Sequence, residues 1–103
     1  MNLHVILKGH NTVIAAPSGE TWINTVDHPC LSVAGTGDVL AGILVSLLAQ
    51  GMPITHACRV ATFIHGSCGI KLGEKVGIRG VLASDLINEI AHVIHELDQN
   101  KTA

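Results

Sequence analysis

Residues 33–45, Val-Ala-Gly-Thr-Gly-Asp-Val-Leu-Ala-Gly-Ile-Leu-Val, place a glycine-rich turn directly before an apolar helix. A helix N-terminus carries unpaired backbone N–H groups and a partial positive charge, which together suit an anion such as phosphate. Gly35 and Gly37 let the backbone approach that anion with no Cβ in the way. Because a carboxylate repels phosphate, Asp38 is interpreted as a base, or as a ligand for a reacting hydroxyl. The stretch therefore predicts a phosphoryl-transfer site.

The remaining pattern predicts strands first and three helices afterwards, from the alternation of apolar runs, turn residues and helical spacing. Strands are expected at residues 3–7, 13–16 and 21–24, with a brief fourth strand at 31–33. Helices are expected at about 38–50, at about 53–72, and from a Ser84 cap onwards, with fraying over 98–103. Asp85 falls in the first turn of the third helix, where it complements the helix dipole.

The composition indicates that this chain is one part of a larger fold. Its 103 residues are enough for one small domain. They are 48% hydrophobic and 14% charged, with a mean hydropathy of +0.46, which is apolar for a free-standing domain. Three strands followed by three helices also cannot cover both faces of a sheet. We expect residues 1–103 to form the C-terminal portion of an α/β sandwich, or to pack against another chain.

Charge and hydropathy exclude two classes of partner. The net charge is −2 and the six Lys and Arg residues form no run, so no nucleic-acid binding is expected. The longest apolar run, residues 39–49, is far short of the roughly 20 residues of a membrane span, so no membrane association is expected. The N-terminus has the pattern of a strand, so no signal peptide is expected.

The cysteines and histidines predict no metal site. Three cysteines without a Cys-x-x-Cys pair indicate free thiols in a reducing compartment, so the expected location is cytoplasmic. His65 and Cys68 share one helical face, as do His92 and His95, but neither pair has a third partner at metal-ligand spacing. We interpret these histidines as structural or exposed at the surface.

The segment Ala34–Gly42 resembles the anion-hole motif of the ribokinase-like superfamily. In particular it is similar to the ADP- or ATP-dependent NAD(P)H-hydrate dehydratases, which repair hydrated nicotinamide cofactors. Four further segments share the resemblance: Lys8-Gly9-x-x-Thr12, Ile23-Asn24, His65-Gly66 and Leu82–Leu86. Gly-x-Gly-Asp alone fits many sugar and vitamin kinases, and its combination with the other segments favours the dehydratase branch. The resemblance implies the C-terminal part of a three-layer α/β/α sandwich.

Two departures from the family pattern matter. The loop after Asn24 carries Asp27-His28, where the family usually has Gly-Asn. The upstream half of the family domain, which supplies much of the substrate pocket, has no counterpart in this sequence. The resemblance therefore implies a truncated or split product, with a complementary N-terminal fragment or a homo-oligomer as the expected assembly.

The resemblance also implies a reaction and its residues. ATP or ADP, with Mg²⁺, phosphorylates the hydroxyl on the ring of hydrated NADH or NADPH, and elimination of phosphate restores the cofactor. Asp38 would be the catalytic base and would bind the substrate with Asn24. Nucleotide contacts would come from Lys8, Gly9, His10, Asn11 and Thr12, and from the anion-hole residues Gly35, Thr36 and Gly37.

Other interpretations of these residues stay open at the level of sequence. Asp38 is alternatively a first-turn acid, Lys8 a solvated strand end, and Asn24 the source of an Asx hydrogen bond in a turn. His65 is more simply a packed helix residue than a catalytic one. A ribokinase-like kinase of a vitamin precursor or sugar would use the same Asp38 and stop at the phosphorylated product. A non-catalytic nucleotide-binding fragment is the remaining alternative.

Overall fold

A small antiparallel sheet precedes three helices in the chain. The structure is a computed structural model and describes residues 3–8, 11–26, 28–32, 35–77 and 80–102. The strands are β1 (Val5–Leu7), β2 (Thr12–Ala15) and β3 (Thr21–Asn24), and the helices are α1 (Thr36–Ala49), α2 (Ile54–Val76) and α3 (Ala83–Thr102). This order confirms the predicted α/β arrangement of strands first and helices afterwards.

The sheet has the order β1-β2-β3, and one of its faces lies against α2. Ile6, Ile14 and Trp22 are cross-strand neighbours on that face. Ile14 is 1% exposed and is the centre of the contact. Trp22 is half-buried, and the Arg59 guanidinium of α2 lies 5.2 Å from its ring centroid. Trp22 therefore anchors β3 to α2, as expected for an aromatic residue that packs on the sheet.

Helix α2 is the centre of the helical layer, since it contacts both α1 and α3 as well as the sheet. The buried side chains between the helices come from all three of them: Leu40, Ile43, Ala61, Ile64, Cys68, Leu86 and Val93. Two ion pairs, Lys71–Glu96 and Lys75–Glu89, join α2 to α3 at the edge of this core. In the described part of the chain, no helix is long and apolar enough to cross a bilayer.

The loop that connects β3 to α1 packs against three glycines of α2. Gly66, Gly69 and Gly73 lie at spacings of three and four residues, so they share one helix face. A Cβ at position 66 would collide with the Val26 carbonyl, and a Cβ at 69 would lie 2.7 Å from the Leu31 side chain. A Cβ at position 73 would collide with the His28 ring. The glycines therefore fix the path of the chain that leads into α1.

The predicted brief strand at residues 31–33 is wrong. Pro29–Ser32 form a 3₁₀ turn, and residue 33 lies outside the described residues. Two local hydrogen bonds to His28 stabilise this turn. The His28 carbonyl accepts the Leu31 N–H at 3.0 Å, and the His28 Nδ1 accepts the Cys30 N–H at 3.1 Å. An extended chain is incompatible with these bonds and with the packing of Leu31 against α2.

The helix boundaries differ from the sequence expectations at four points. Helix α1 begins at Thr36, two residues early, and α2 extends to Val76. Helix α3 continues to Thr102, although fraying was expected from residue 98. Ser84 is not its cap. The Asp85 carboxylate accepts the backbone N–H of Leu82 at 2.9 Å, so the helix begins one residue before Ser84, with Asp85 three positions after the cap.

Candidate functional site

The N-terminus of α1 lacks a side-chain cap. Gly35 precedes the helix with φ of 91°, a left-handed conformation that glycine adopts without strain, and it provides no capping side chain. Its carbonyl accepts the N–H groups of Asp38 at 3.1 Å and Val39 at 3.3 Å. The N–H groups of Thr36 and Gly37 occupy the first two helical positions, where no carbonyl of the same helix can accept them. This end of α1 therefore has the donors that an anion requires.

A polar cleft of about 700 Å³ opens at this helix end. Its walls are the chain around the β1–β2 turn, the loop after β3, the start of α1 and the middle of α2. Seven of the residues predicted to bind nucleotide or substrate line it: Lys8, Asn11, Thr12, Asn24, Gly35, Thr36 and Gly37. Gly9 and His10, also predicted to contact nucleotide, lie outside the described residues. The fold therefore brings together segments that are far apart in sequence.

Lys8 makes the cleft electropositive. Its Nζ lies 3.7 Å from the position that a Cβ on Gly37 would take, so the ammonium is close to residues 35–37, which we call the glycine turn. Among the described residues that line the cleft, Lys8 is the only lysine or arginine, and none is Asp or Glu. An ammonium beside a helix N-terminus adds a full charge to the partial charge of the helix. The arrangement favours a phosphate group.

Two buried hydrogen-bonding contacts fix the position of the glycine turn. Thr36 is 2% exposed, and its Oγ1 donates to the Leu31 carbonyl at 2.6 Å. His65 is 4% exposed, and its Nε2 lies 2.9 Å from the backbone oxygen of Thr36. His65 is thus the packed helix residue expected from the sequence. It also borders the cleft, which the sequence interpretation did not include.

Asn24 holds the loop after β3 against α2. Its Nδ2 donates to the carbonyls of Val26 and Thr62, both at 3.1 Å, and its Oδ1 accepts the Val26 N–H at 3.4 Å. The bond from the Val26 N–H to Oδ1 is that of an Asx turn, the structural alternative considered from the sequence. Asn24 lines the cleft, but the oxygen and the nitrogen of its side-chain amide both already form hydrogen bonds within the protein.

Asp38 lies at the N-terminus of α1, on the side that faces away from the polar cleft. Its side chain is exposed and borders a separate groove of about 560 Å³ between α1 and α3. The opposite wall of that groove is apolar and includes Ile87 and Ile90. Asp38 is not among the described residues that line the polar cleft. The carboxylate and the N–H groups of the turn therefore face neighbouring spaces, separated by the first turn of α1.

Sequence reasoning missed the part of the cleft that α2 supplies. Thr62, His65 and Gly66 of α2 line it, together with Val26 and His28 of the loop. The spacing of Thr62, His65 and Gly66 places them on one helix face, which was the available signal. Among the described residues, no group of three His, Cys, Asp or Glu side chains is arranged to hold a metal ion.

The fold is that of an α/β protein in which Lys8 and the uncapped N-terminus of α1 border one cleft. The family described as NAD(P)H-hydrate dehydratase matches residues 1–92. The chain belongs to this family, and the resemblance seen in the sequence is confirmed.

Relatives in this family are longer than the chain. It is 42% identical over 83 residues to the ADP-dependent (S)-NAD(P)H-hydrate dehydratase of Neisseria meningitidis serogroup B, covering 80% of this chain and 28% of that protein. It is 36% identical over 95 residues to the bifunctional NAD(P)H-hydrate repair enzyme Nnr of Moorella thermoacetica, covering 92% of this chain and 18% of the relative. The chain therefore spans less than a third of either relative.

A solved structure shares the fold. The ADP/ATP-dependent NAD(P)H-hydrate dehydratase of Bacillus subtilis, co-crystallized with ATP/Mg²⁺, superposes with a TM-score of 0.83 at 32% identity. The match covers 90% of this chain and 34% of that one. The similarity confirms the α/β fold, and the coverage shows that this chain corresponds to about a third of the solved chain.

Proposed function

We propose that this chain forms the nucleotide-binding part of an ADP- or ATP-dependent NAD(P)H-hydrate dehydratase. The observation that carries the proposal is the position of the Lys8 ammonium beside Gly37, at the uncapped N-terminus of α1. A lysine and two helical N–H groups are the donors that a nucleotide phosphate needs. The cleft of about 700 Å³ has the size of a small-molecule site.

The proposed reaction has two steps. The hydroxyl oxygen of hydrated NADH or NADPH attacks the terminal phosphorus of ATP or ADP, and the bond from that phosphorus to the nucleotide breaks. Asp38 takes the hydroxyl proton, a role that typically contributes ~10²–10⁴-fold in rate. In the second step the ring C–O bond breaks, the adjacent ring carbon loses a proton, and the inorganic phosphate that leaves takes up that proton, which restores NADH or NADPH. Such chemistry depends mainly on positioning and on charge stabilisation by the N–H groups of the glycine turn.

Each group of residues has a defined part in this proposal. The segment from Lys8 to Thr12 holds the nucleotide, and the N–H groups of residues 35–37 stabilise charge on the transferred phosphoryl group. Asn24 shapes the cleft by fixing the loop, and a direct substrate contact from it remains a prediction. Because no carboxylate among the described residues lines the cleft, we expect Mg²⁺ to enter on the nucleotide phosphates.

Residues 1–103 supply only part of the domain in this proposal. Asp38 is exposed, and the groove that it borders between α1 and α3 is open to solvent in the described part of the chain. A homo-oligomer or a complementary N-terminal fragment is therefore needed to complete the substrate pocket. The three cysteines are buried, and so low a cysteine count agrees with a reducing compartment, so we propose a cytoplasmic location.

Nucleotide binding tests this proposal without requiring turnover. Titration calorimetry with ATP/Mg²⁺ and ADP/Mg²⁺ should give saturable binding to the wild-type chain. Lys8→Met should weaken that binding at least ~10-fold, since a hydrogen bond to a charged group contributes about 1.5–3 kcal/mol. Lys71→Met is the matched control, because Lys71 pairs with Glu96 on the far side of α2 and should leave nucleotide affinity unchanged. Equal affinities of the Lys8→Met variant and the wild type would overturn the proposal.

A further inference from the structure

The peptide group between Thr36 and Gly37 connects the glycine turn to α2. Thr36 supplies the carbonyl and Gly37 supplies the N–H of one planar trans peptide, so the two groups point in opposite directions. The Thr36 oxygen lies 2.9 Å from Nε2 of His65, whereas Gly37 lines the polar cleft. The Gly37 N–H is one of the donors that α1 itself cannot satisfy. A contact on the carbonyl side of this peptide therefore sets the direction of a donor on the cleft side.

His65 is a donor with little freedom to turn. Its side chain is 4% exposed, and it projects from α2, which packs against α1, α3 and the sheet. Because a carbonyl oxygen only accepts, Nε2 carries the proton in the contact with Thr36. The next residue, Gly66, lies so close to the Val26 carbonyl that an added Cβ would collide with it. This close packing fixes the part of α2 from which the imidazole reaches the glycine turn.

The bond from His65 also changes the strength of the donor that faces the cleft. A carbonyl oxygen has two lone pairs and the helix ladder uses one, so His65 adds a second bond to Thr36. Linked hydrogen bonds polarise one another, and a bond accepted by a carbonyl strengthens the N–H of the same peptide as a donor. The strengthened donor is Gly37, which lies beside the Lys8 ammonium. Among the described residues that line the cleft, no carboxylate opposes a negative charge there.

We propose that His65 is a positioning residue for the nucleotide phosphate, which acts through the Thr36 carbonyl on the Gly37 N–H. It fixes the direction of this N–H and strengthens it as a donor, without touching the phosphate itself. The proposal rests on the proposed function and deepens it, because it assigns a buried side chain of α2 to phosphate binding. A purely structural role for His65 makes a different prediction, since substitutions would then change affinity only as they change stability.

Two conservative substitutions separate these roles. The amide nitrogen of glutamine lies as many bonds from Cβ as Nε2 of histidine does, whereas that of asparagine lies one bond nearer. His65→Gln can therefore donate to the Thr36 carbonyl, and His65→Asn cannot reach it. Both side chains are uncharged and polar, so both leave a polar amide in the same buried place. His56→Asn is the matched control, because His56 is exposed on the same helix.

Nuclear magnetic resonance of the ligand-free chain gives the first readout. The amide proton of Gly37 reports on the polarisation of the Thr36–Gly37 peptide. Its resonance should move upfield in His65→Asn and should keep the wild-type position in His65→Gln and His56→Asn. Equal positions in the two His65 variants would overturn the proposal. If His65→Asn is unfolded in a thermal melt, His65→Leu takes its place, since leucine fills the space and has no donor.

Titration calorimetry with ADP/Mg²⁺ and ATP/Mg²⁺ gives the second readout. Both affinities should fall about 5- to 10-fold in His65→Asn, the effect of one weakened hydrogen bond, and should stay within about 2-fold of wild type in His65→Gln. Adenosine has no phosphate, so its affinity should be the same in all variants. Thermal melts of each variant provide the comparison with stability. Affinities that follow the melting temperature rather than the reach of the donor would overturn the proposal.

The outcome is separate from that of the proposed function. No nucleotide binding by the wild-type chain contradicts the proposed function, and the Gly37 resonance then decides by itself whether His65 controls this peptide. Nucleotide binding with equal affinities of His65→Gln and His65→Asn retains the function and overturns the role of His65.

Discussion

The imidazole Nε2 of His65 lies 2.9 Å from the backbone oxygen of Thr36, and both residues are buried. Because a carbonyl oxygen only accepts, Nε2 must carry the proton. The bond joins the middle of α2 to the first residue of α1. The glycine turn is therefore oriented by a side chain that lies 29 positions away in sequence.

Replacing His65 with alanine should destabilise the chain by removing this bond and leaving the Thr36 carbonyl with one partner fewer in a buried position. We expect the free energy of unfolding to fall by about 2 kcal/mol, measured by urea denaturation. His56→Ala is the control, since His56 is exposed on the same helix, and its change should be close to zero. Equal effects of the two substitutions would show that the Thr36 contact has no energetic role.

The glycine face of α2 leads to a second prediction. Gly66→Ala should lower the free energy of unfolding by about 3 kcal/mol or prevent folding, because the new methyl group would collide with the Val26 carbonyl. Gly42→Ala on α1 has no atom within 4 Å of the added Cβ and should raise the free energy of unfolding by about 0.5–1 kcal/mol. Urea melts of both variants measure the difference. Two variants of similar stability would contradict the observed packing of the loop on α2.

Sequence patterns were sufficient to predict the strands and helices, but not the conformation of the loop between β3 and α1. The glycine turn, the apolar spacing and the terminating residues determine local structure, so the three strands and three helices could be predicted. The 3₁₀ turn at Pro29–Ser32 depends on His28 bonds and on the seating of Leu31 against Gly69. The His28 bonds are local, but the contact between Leu31 and Gly69 joins residues about 40 positions apart, and no local pattern contains it.

The candidate site, too, could be predicted from the sequence only in part. Lys8 and Gly37 could be predicted to lie at one site because each belongs to a recognisable motif, and both border the cleft. Thr62 lines the cleft from the interior of α2, where its sequence context is that of a core helix. The location of Asp38 beside a separate groove also could not be predicted, because it depends on where α3 packs against α1.

The thiol of Cys68 predicts a pH dependence of stability. Cys68 is 1% exposed, and burial, followed by the nearby Glu89 carboxylate, raises the pKa of its thiol from 9.0 to about 11. Between pH 9 and pH 11 the unfolded chain loses this proton while the folded chain retains it. The contribution to stability is therefore complete below pH 9 and is lost as the pH rises towards 11.

Urea denaturation of the wild type and of Cys68→Ala over this range isolates the effect. The wild type should lose stability more steeply than the variant, by about 1.4 kcal/mol per pH unit. All other ionisable groups are common to the two proteins, so the difference between the curves reports on Cys68. Parallel curves would show that the thiol titrates alike in the folded and unfolded chains.

In the proposed function, Asp38 is the base for nucleotide-dependent repair of hydrated NADH, and the groove that it borders adjoins the cleft at the N-terminus of α1. The most direct measurement is the recovery of NADH absorbance from hydrated NADH with Mg²⁺ and ATP or ADP, using the chain assembled with the remainder of the Bacillus subtilis domain. Recovery should fall at least ~100-fold with Asp38→Asn and persist with Asp98→Asn, an exposed carboxylate on α3. No recovery by the assembled wild type, or equal recovery by Asp38→Asn, would contradict the claim.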